Sequence, residues 1–398
     1  MFEGVRVLEV GTWVMVPGAG VLLADFGADV IKVEHARSGD PARGLVTGGL
    51  TPTQGTVNLM VEQVNRAKRS IGLDLGQEAG RQLLYELAGR ADVFLTSFLP
   101  DAREKLRIDV DDIRAVNPGI VYAKADAVGP AGPEGGKPGY DAAVFFGRGG
   151  ILNSFSVPDG PLPRPRPGFG DKTASLAIAY GIAAALFRRE REGVPAVVDV
   201  SLLGSAMWVA SSDIVYSAVL GSDFSRVERP ATNPVATHYA TSDGRWIMLS
   251  MLESQRWWAP LCRALDRADL VDDPRYADAA SRAANAAECR AVLAEIFAAA
   301  PLEEWRRRLA ALRAPWEVVA DSAEVARDPQ AEANGYITTV QHPGGESIRV
   351  VRAPVTFDGR APEVGTAPEF AQHTEEVLLE LGHGWDRIAE LKADGVIP

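Results

Sequence analysis

The hydrophobic positions in the first third of the chain fall into short continuous runs separated by stretches with helical spacing. VRVLEV, residues 5–10, reads as a buried strand, and PGAGVLLADFG, residues 17–27, reads as a helix. DVIKVE at 29–34 is a second strand. RSIGLDL at 69–75 precedes the amphipathic run GQEAGRQLLYELAGRA. DVFLTSF at 92–98 and GIVYAKA at 119–125 follow, with helical segments between them. Strands alternating with helices predict right-handed crossovers and a mostly parallel sheet covered on both faces. Ligands of such sheets sit beyond the carboxyl ends of the strands. Here those ends lead into GTWVMVPG, HARSGD, SFLPDAREK and DAVGPAGPEGGKPGYD, so the site is expected among these four loops.

Farther along, the pattern changes. The longest apolar stretch, 174–187, contains Gly181 and is shorter than the ~20 apolar residues that a membrane span needs. AVVDVSLLGSAMWVASS then reads as a strand running into a helix. From about residue 226, RVERPATNPVATHYATSDGRWIMLSM carries the Pro, Asn and Asp-Gly punctuation of antiparallel strands. The Ala-rich stretch 277–300 and EEWRRRLAAL are helical, and the tail is strand-like and then helical. The predicted fold class is α/β. A large Rossmann-like domain spans 1–200, a linker 201–225, and a smaller α+β domain 226–330. The segment 331–398 returns to the large domain. PLPRPRP, 161–167, is a short stiff connector.

Composition narrows the function. A net charge of −12 with no basic run excludes a general nucleic-acid binder. Cys262 and Cys289 form no metal pattern or disulfide framework, which fits a reducing cytosol. MFEGVRVLEV carries an acid early and lacks a signal-peptide layout, so a cytoplasmic protein with no membrane partner is expected. The chain has no H-E-x-x-H, G-x-S-x-G or Walker A motif, and its five histidines are scattered; no metal site is expected. A dinucleotide fingerprint is partly present. Gly18 and Gly20 follow the first strand and Glu34 closes the second, but Leu23 stands at the third glycine position.

Two features carry chemistry. Arg37, Arg43, Arg66, Lys68, Arg69, Arg103, Lys105 and Lys137 lie at or near strand ends in an acidic chain. Singly each reads as solvated surface; together they suit a ligand bearing phosphates. The second feature is Asp171, alone between a Pro/Gly segment and the long apolar helix. Its carboxylate is either a helix cap or a reagent, and local sequence leaves both open.

Blocks along nearly the whole chain carry a resemblance. VLEVGTWVMVPGAGVLLADFGADVIKVEHARSGDPARG, NRAKRSIGLDL, DVFLTSFLPDAREKL, KPGYDAAVFFGRGG and GDKTASLAIAYGIAAALFRRE occur in that order, followed by DPQAEANGY and QHTEEVLLELG. The set resembles family III CoA-transferases, a superfamily that includes formyl-CoA transferase, carnitine CoA-transferase and α-methylacyl-CoA racemases. The resemblance implies acyl-CoA and a free carboxylic acid as substrates, no tightly bound cofactor, and an interlocked homodimer. The active site would then lie between the large domain of one chain and the small domain of its partner.

The same resemblance places the family's nucleophilic aspartate at Asp171. Thr12, Trp13, Val14, Met15 and Val16 match the loop flanking the CoA thiol, and Arg37 lies within one residue of an arginine that contacts the nucleotide. Ser97 and Phe98 match an Asn-Phe pair, and Lys105 matches an arginine; Lys68, Arg69, Arg103 and Lys137 are further CoA candidates. Racemases of the superfamily carry histidine in a G-H-D block, where this chain has Tyr140. Neutral tyrosine is a poor base at pH 7, which favours transfer over racemisation. Glu253 falls where both branches can show an acid. The run of consecutive glycines that closes over formyl-CoA transferase sites is missing from RPATNPVATHYATSDG. A racemase or epimerase is the enzymatic alternative, and a non-catalytic CoA-binding protein the other.

Overall fold

The computed structural model describes residues 1–48, 53–55, 57–156, 160–224 and 232–398. The chain divides into a larger unit, Met1–Arg226 with Pro329–Pro398, and a smaller one, Val227–Asp328. The junction expected at 225–226 lies outside the described residues.

Six strands form the central sheet of the larger unit: β1 Arg6–Val10, β2 Asp29–His35, β3 Arg69–Leu73, β4 Val93–Thr96, β5 Val121–Asp126 and β6 Val197–Ser201. Their order is 3-2-1-4-5-6 and every neighbouring pair is parallel. Successive side chains of a strand point to opposite faces, so apolar runs feed two cores. Val7, Val30, Val93 and Val121 pack beneath the helices Met15–Ala24 and Phe169–Glu192. Leu8, Ile31, Phe94 and Tyr122 pack on the other face, with the helices Glu78–Ala88, Thr374–Leu381 and Trp385–Ala393. Strand order reverses between β1 and β4, which opens a crevice at their carboxyl ends.

The C-terminal segment seals the β3 edge. Thr374 Oγ1 accepts the Gly72 N–H at 3.1 Å, and the Val396 carbonyl accepts the Asp74 N–H at 2.8 Å. The stretch 201–225 begins with the helix read there from the sequence, Leu202–Val209, and continues as a second helix, Ser211–Leu220, with a bend of 76° between them. No single helix among the described residues is long and apolar enough to cross a membrane.

Buried charge explains the glycines that mimic a dinucleotide fingerprint. Lys68 Nζ, inside the protein, donates to Glu9 Oε2 at 2.7 Å, and Lys32 Nζ donates to Glu9 Oε1 at 3.1 Å. A Cβ on Gly20 would lie 2.0 Å from that Glu9 Oε2, and one on Gly18 would lie 2.4 Å from Ser175 Oγ. Gly20 thus makes room for an ion cluster and Gly18 for a close helix crossing. Glu34, the would-be ribose acid, is held by Arg43 at 2.7 Å and Ser70 at 2.6 Å.

The smaller unit has an antiparallel sheet of His238–Ala240, Trp246–Leu249 and Trp316–Val318, in the order last, middle, first. Helices Ser254–Ala264, Ala286–Ala298 and Leu302–Leu309 pack on a core of Trp258, Phe297 and Trp305.

Candidate active site

The crevice at the strand-order reversal is a cavity of about 340 Å³. Thr12, Trp13 and Met15 line it after β1, Ser97, Phe98 and Leu99 after β4, and Asp126 and Ala127 at the end of β5. Tyr140 and Asp171 complete the wall. Three of the four predicted loops therefore meet here. The fourth, HARSGD, acts from behind: Asp40 Oδ1 accepts the Trp13 N–H at 3.1 Å. Trp13 has φ +69°, a left-handed backbone that aromatic residues rarely adopt. Asp40, ion-paired to the buried Lys32 at 2.9 Å, anchors that strained turn. Ser97 Oγ accepts the Thr12 N–H at 3.2 Å, and the Trp13 ring meets Tyr140 edge-on with centroids 5.6 Å apart.

Asp171 is not the helix cap. The helix Phe169–Glu192 has Gly168 at its N-cap, with φ +86°, and Asp171 sits in the first turn. The cap comes from elsewhere. Asp141, 5% exposed, accepts the Gly168 N–H through Oδ2 at 2.6 Å and also the Gly170 N–H. The two glycines serve different needs. Gly168 adopts the left-handed turn. At Gly170 a Cβ would lie 2.4 Å from Phe145 Cγ, so only glycine fits just before the acid.

With the cap supplied by Asp141, the Asp171 carboxylate makes no hydrogen bond or ion pair among the described residues. Burial pushes its pKa up to about 7, the charge of Asp141 pushes the same way, and Lys172 opposes them. A half-buried carboxylate without partners, ionising near neutrality in a cleft, is suited to nucleophilic attack. Ser175 ties its helix to the β1 loop: the hydroxyl donates to the Met15 carbonyl at 2.6 Å and lies 2.8 Å from the Asp171 carbonyl.

The cationic candidates separate by environment. Arg37 and Lys105 are exposed beyond the carboxyl ends of β2 and β4 and carry no ion pair among the described residues. Lys137 is exposed and paired with Glu134. Lys68 is turned inward onto Glu9, so a buried structural cation replaces the expected phosphate contact. Arg69 begins β3, at the amino edge of the sheet, bonded to Asp29 and Glu380 at 2.7 Å each. It is thus at the wrong end of the sheet for the cavity. Arg103 is buried and donates to the Phe98 carbonyl at 2.6 Å, which shapes the loop after β4. Val14 and Val16 are buried beneath the cavity loop. Glu253 lies in the smaller unit, exposed and bonded to Arg256 at 3.2 Å.

Sequence reasoning passed over Asp141, Asp126, Asp40 and Ser175. Asp141 carried a signal, since it adjoins Tyr140 in GYD; the others carried none that local spacing could reveal.

A six-stranded parallel sheet thus holds two acids, Asp126 and Asp171, in the cavity at its switch point. The profile described as CoA-transferase family III matches residues 2–374, and the chain belongs to that family. (R)-2-hydroxy-4-methylpentanoate CoA-transferase of Clostridioides difficile is 30% identical, covering 100% of this chain and 99% of its own. Cinnamoyl-CoA:phenyllactate CoA-transferase of Clostridium sporogenes is 31% identical, covering 99% and 96%. The crystal structure of a CaiB/BaiF family protein from Brucella suis has a TM-score of 0.82 at 27% identity, covering 96% of this chain and 99% of that one.

The separation of cations yields a prediction. If Arg37 and Lys105 meet the CoA nucleotide, replacing either by Ala should raise KM for an acyl-CoA roughly tenfold and leave kcat nearly unchanged, because such contacts act equally on ground and transition states. Lys137→Ala should have a smaller effect. Steady-state kinetics with one donor check this; a fall in kcat at constant KM contradicts it.

Proposed function

We propose that the enzyme moves CoA from an acyl-CoA donor to a free carboxylic acid through covalent intermediates on Asp171. The observation that carries this reading is the unpartnered Asp171 carboxylate in the wall of the switch-point cavity. One carboxylate oxygen attacks the thioester carbonyl; the carbon–sulfur bond breaks and CoA thiolate leaves. The thiolate then attacks the aspartyl carbonyl of the mixed anhydride and expels the donor acid as its carboxylate. An acceptor carboxylate attacks the resulting aspartyl thioester, forming a second anhydride and freeing thiolate again. Thiolate attack on the acceptor's carbonyl forms the new acyl-CoA and restores Asp171. Covalent catalysis of this kind splits one difficult exchange into easier steps.

Thr12, Trp13, Met15, Ser97 and Phe98 would flank the thiol arm, with Arg37, Lys105 and Lys137 toward the phosphates. The helix-start N–H groups of Gly168 and Gly170 are occupied by Asp141, so oxyanion stabilisation falls to other donors. A homodimer, interlocked as the family resemblance implies, is supported by the outer face of the catalytic helix. Phe169, Leu176, Tyr180 and Phe187 are all exposed there. Two buried, free cysteines fit a cytoplasmic setting.

Tyr140 bears on the racemase alternative. It is 63% exposed and packs on Trp13, with no base beside Asp171 at that position. A chiral 2-methylacyl-CoA incubated in heavy water should gain little deuterium at its α-carbon while CoA passes to an added carboxylic acid. Fast α-exchange without any acceptor would overturn the transferase reading.

A further inference from the structure

The cavity wall has a charge pattern that the transfer reaction itself does not use. Asp126, at the carboxyl end of β5, lines the same cavity as Asp171, and no Lys, Arg or His does so among the described residues. The rest of this wall is mostly apolar or small: Trp13, Met15, Phe98, Leu99, Ala125 and Leu202. The nearby cations are committed elsewhere. Lys124 is ion-paired with Asp199 at 3.2 Å. Lys172 follows Asp171, but its side chain lines a different hollow, with Ser175 and Arg352.

We infer that the acids served by this enzyme are monocarboxylic, with an uncharged aliphatic or aryl side chain, and that Asp126 excludes dicarboxylic ones. This rests on the transfer reading above. A monocarboxylic acid places its one anionic group at the reacting centre and its apolar body against the wall. A dicarboxylic acid of the same length must bring a second anion into a space that already holds the Asp126 carboxylate and, among the described residues, offers no cation. Two like charges roughly 6 Å apart, at the effective dielectric typical of partly buried sites, disfavour such a complex by roughly 30- to 100-fold. Asp126 also has a local task, because its Oδ1 accepts the Gly129 N–H at 2.5 Å and closes the turn after β5. Asparagine keeps that acceptor and removes only the charge, so Asp126→Asn separates the two roles.

The test offers an acyl-CoA donor panel to straight-chain, branched and phenyl-substituted monocarboxylic acids, each matched with a dicarboxylic acid of equal length. New thioesters are read by mass, and kcat/KM is measured for each productive pair. The expected result is transfer to monocarboxylic acids, with dicarboxylic counterparts at least roughly tenfold poorer. Asp126→Asn should narrow that gap by a similar factor, read as the ratio of kcat/KM values for the two acid classes. Preferred transfer to dicarboxylic acids, or a gap that Asp126→Asn leaves intact, overturns the inference while transfer stands. No new thioester with any acid overturns the transfer reading itself, and the inference with it. Asp126→Ala serves as the control for the turn: a general loss of activity across both acid classes, without a change of ratio, reports the structural role alone.

Discussion

Asp171→Asn should abolish CoA transfer, by at least ~10⁴-fold in kcat, and yet give a more stable protein above pH 7. Both effects have one origin. The carboxylate lies in the cavity wall without a partner, and burial pushes its pKa from 3.8 up to about 7. The native state therefore holds a proton there that the unfolded chain has lost between those two values. Stability falls as pH rises through that window, and the full cost of the buried anion is present above pH 7. Asparagine carries no charge at any pH. Its stabilisation over wild type should be absent below pH 4, grow toward pH 7 and then level off, at about 2–4 kcal/mol after solvent screening is allowed for. Urea denaturation at pH 5 and pH 8 reads the difference. The same ionisation governs rate. In the wild type, kcat/KM for the donor should fall about tenfold per pH unit below pH 7, as nucleophile is lost to protonation. Hydroxylamine should trap an acyl adduct on the wild-type peptide containing residue 171 and none on the Asn variant. Undiminished turnover by the variant would remove Asp171 from the mechanism.

Strand patterning carried most of the large unit, because both faces of a parallel sheet are buried and their apolar runs stand out against amphipathic helices. It failed where burial is not apolar. Lys68, Arg66 and Glu9 look like surface charge in sequence, yet each is paired inside the protein. A charge's partner lies far away along the chain: Lys68 meets Glu9 across 59 residues and Arg66 meets Asp25 across 41. Spacing therefore cannot tell a phosphate-binding lysine from a core ion pair. The strand and helix at 197–209 were legible, although Met207, Trp208 and Val209 are apolar but exposed and blur the periodic signal. Asp171 became a candidate nucleophile by another route: local sequence left cap and reagent open, and the resemblance carried by the ordered blocks singled it out. G-F-G-D shows an acid at a helix start, but that Gly168 is the cap position and that Gly170 is packed against Phe145 emerge only in the fold.

Asp141 is the distant partner that the motif did not reveal, and removing it should have the next largest effect on the chemistry. Its carboxylate sits inside the protein, accepting N–H groups from both glycines that flank Phe169. It thus fixes the turn that presents Asp171, and its charge helps to raise the Asp171 pKa. Asp141→Ala leaves those N–H groups without their acceptor, at about 1–3 kcal/mol of stability, and lets the turn relax. A displacement of the nucleophile by 1 Å is enough to cost on the order of 100-fold in kcat. KM for acyl-CoA should change little, since the exposed cations proposed to meet the phosphates are untouched. Asp141→Asn divides the two contributions. It keeps one acceptor oxygen but loses the charge, so the acidic limb of the kcat/KM profile should move to lower pH than in the wild type while part of kcat is retained. A purely structural role for Asp141 would lower kcat in both variants and leave the acidic limb where it was. That outcome would leave burial alone to set the Asp171 pKa.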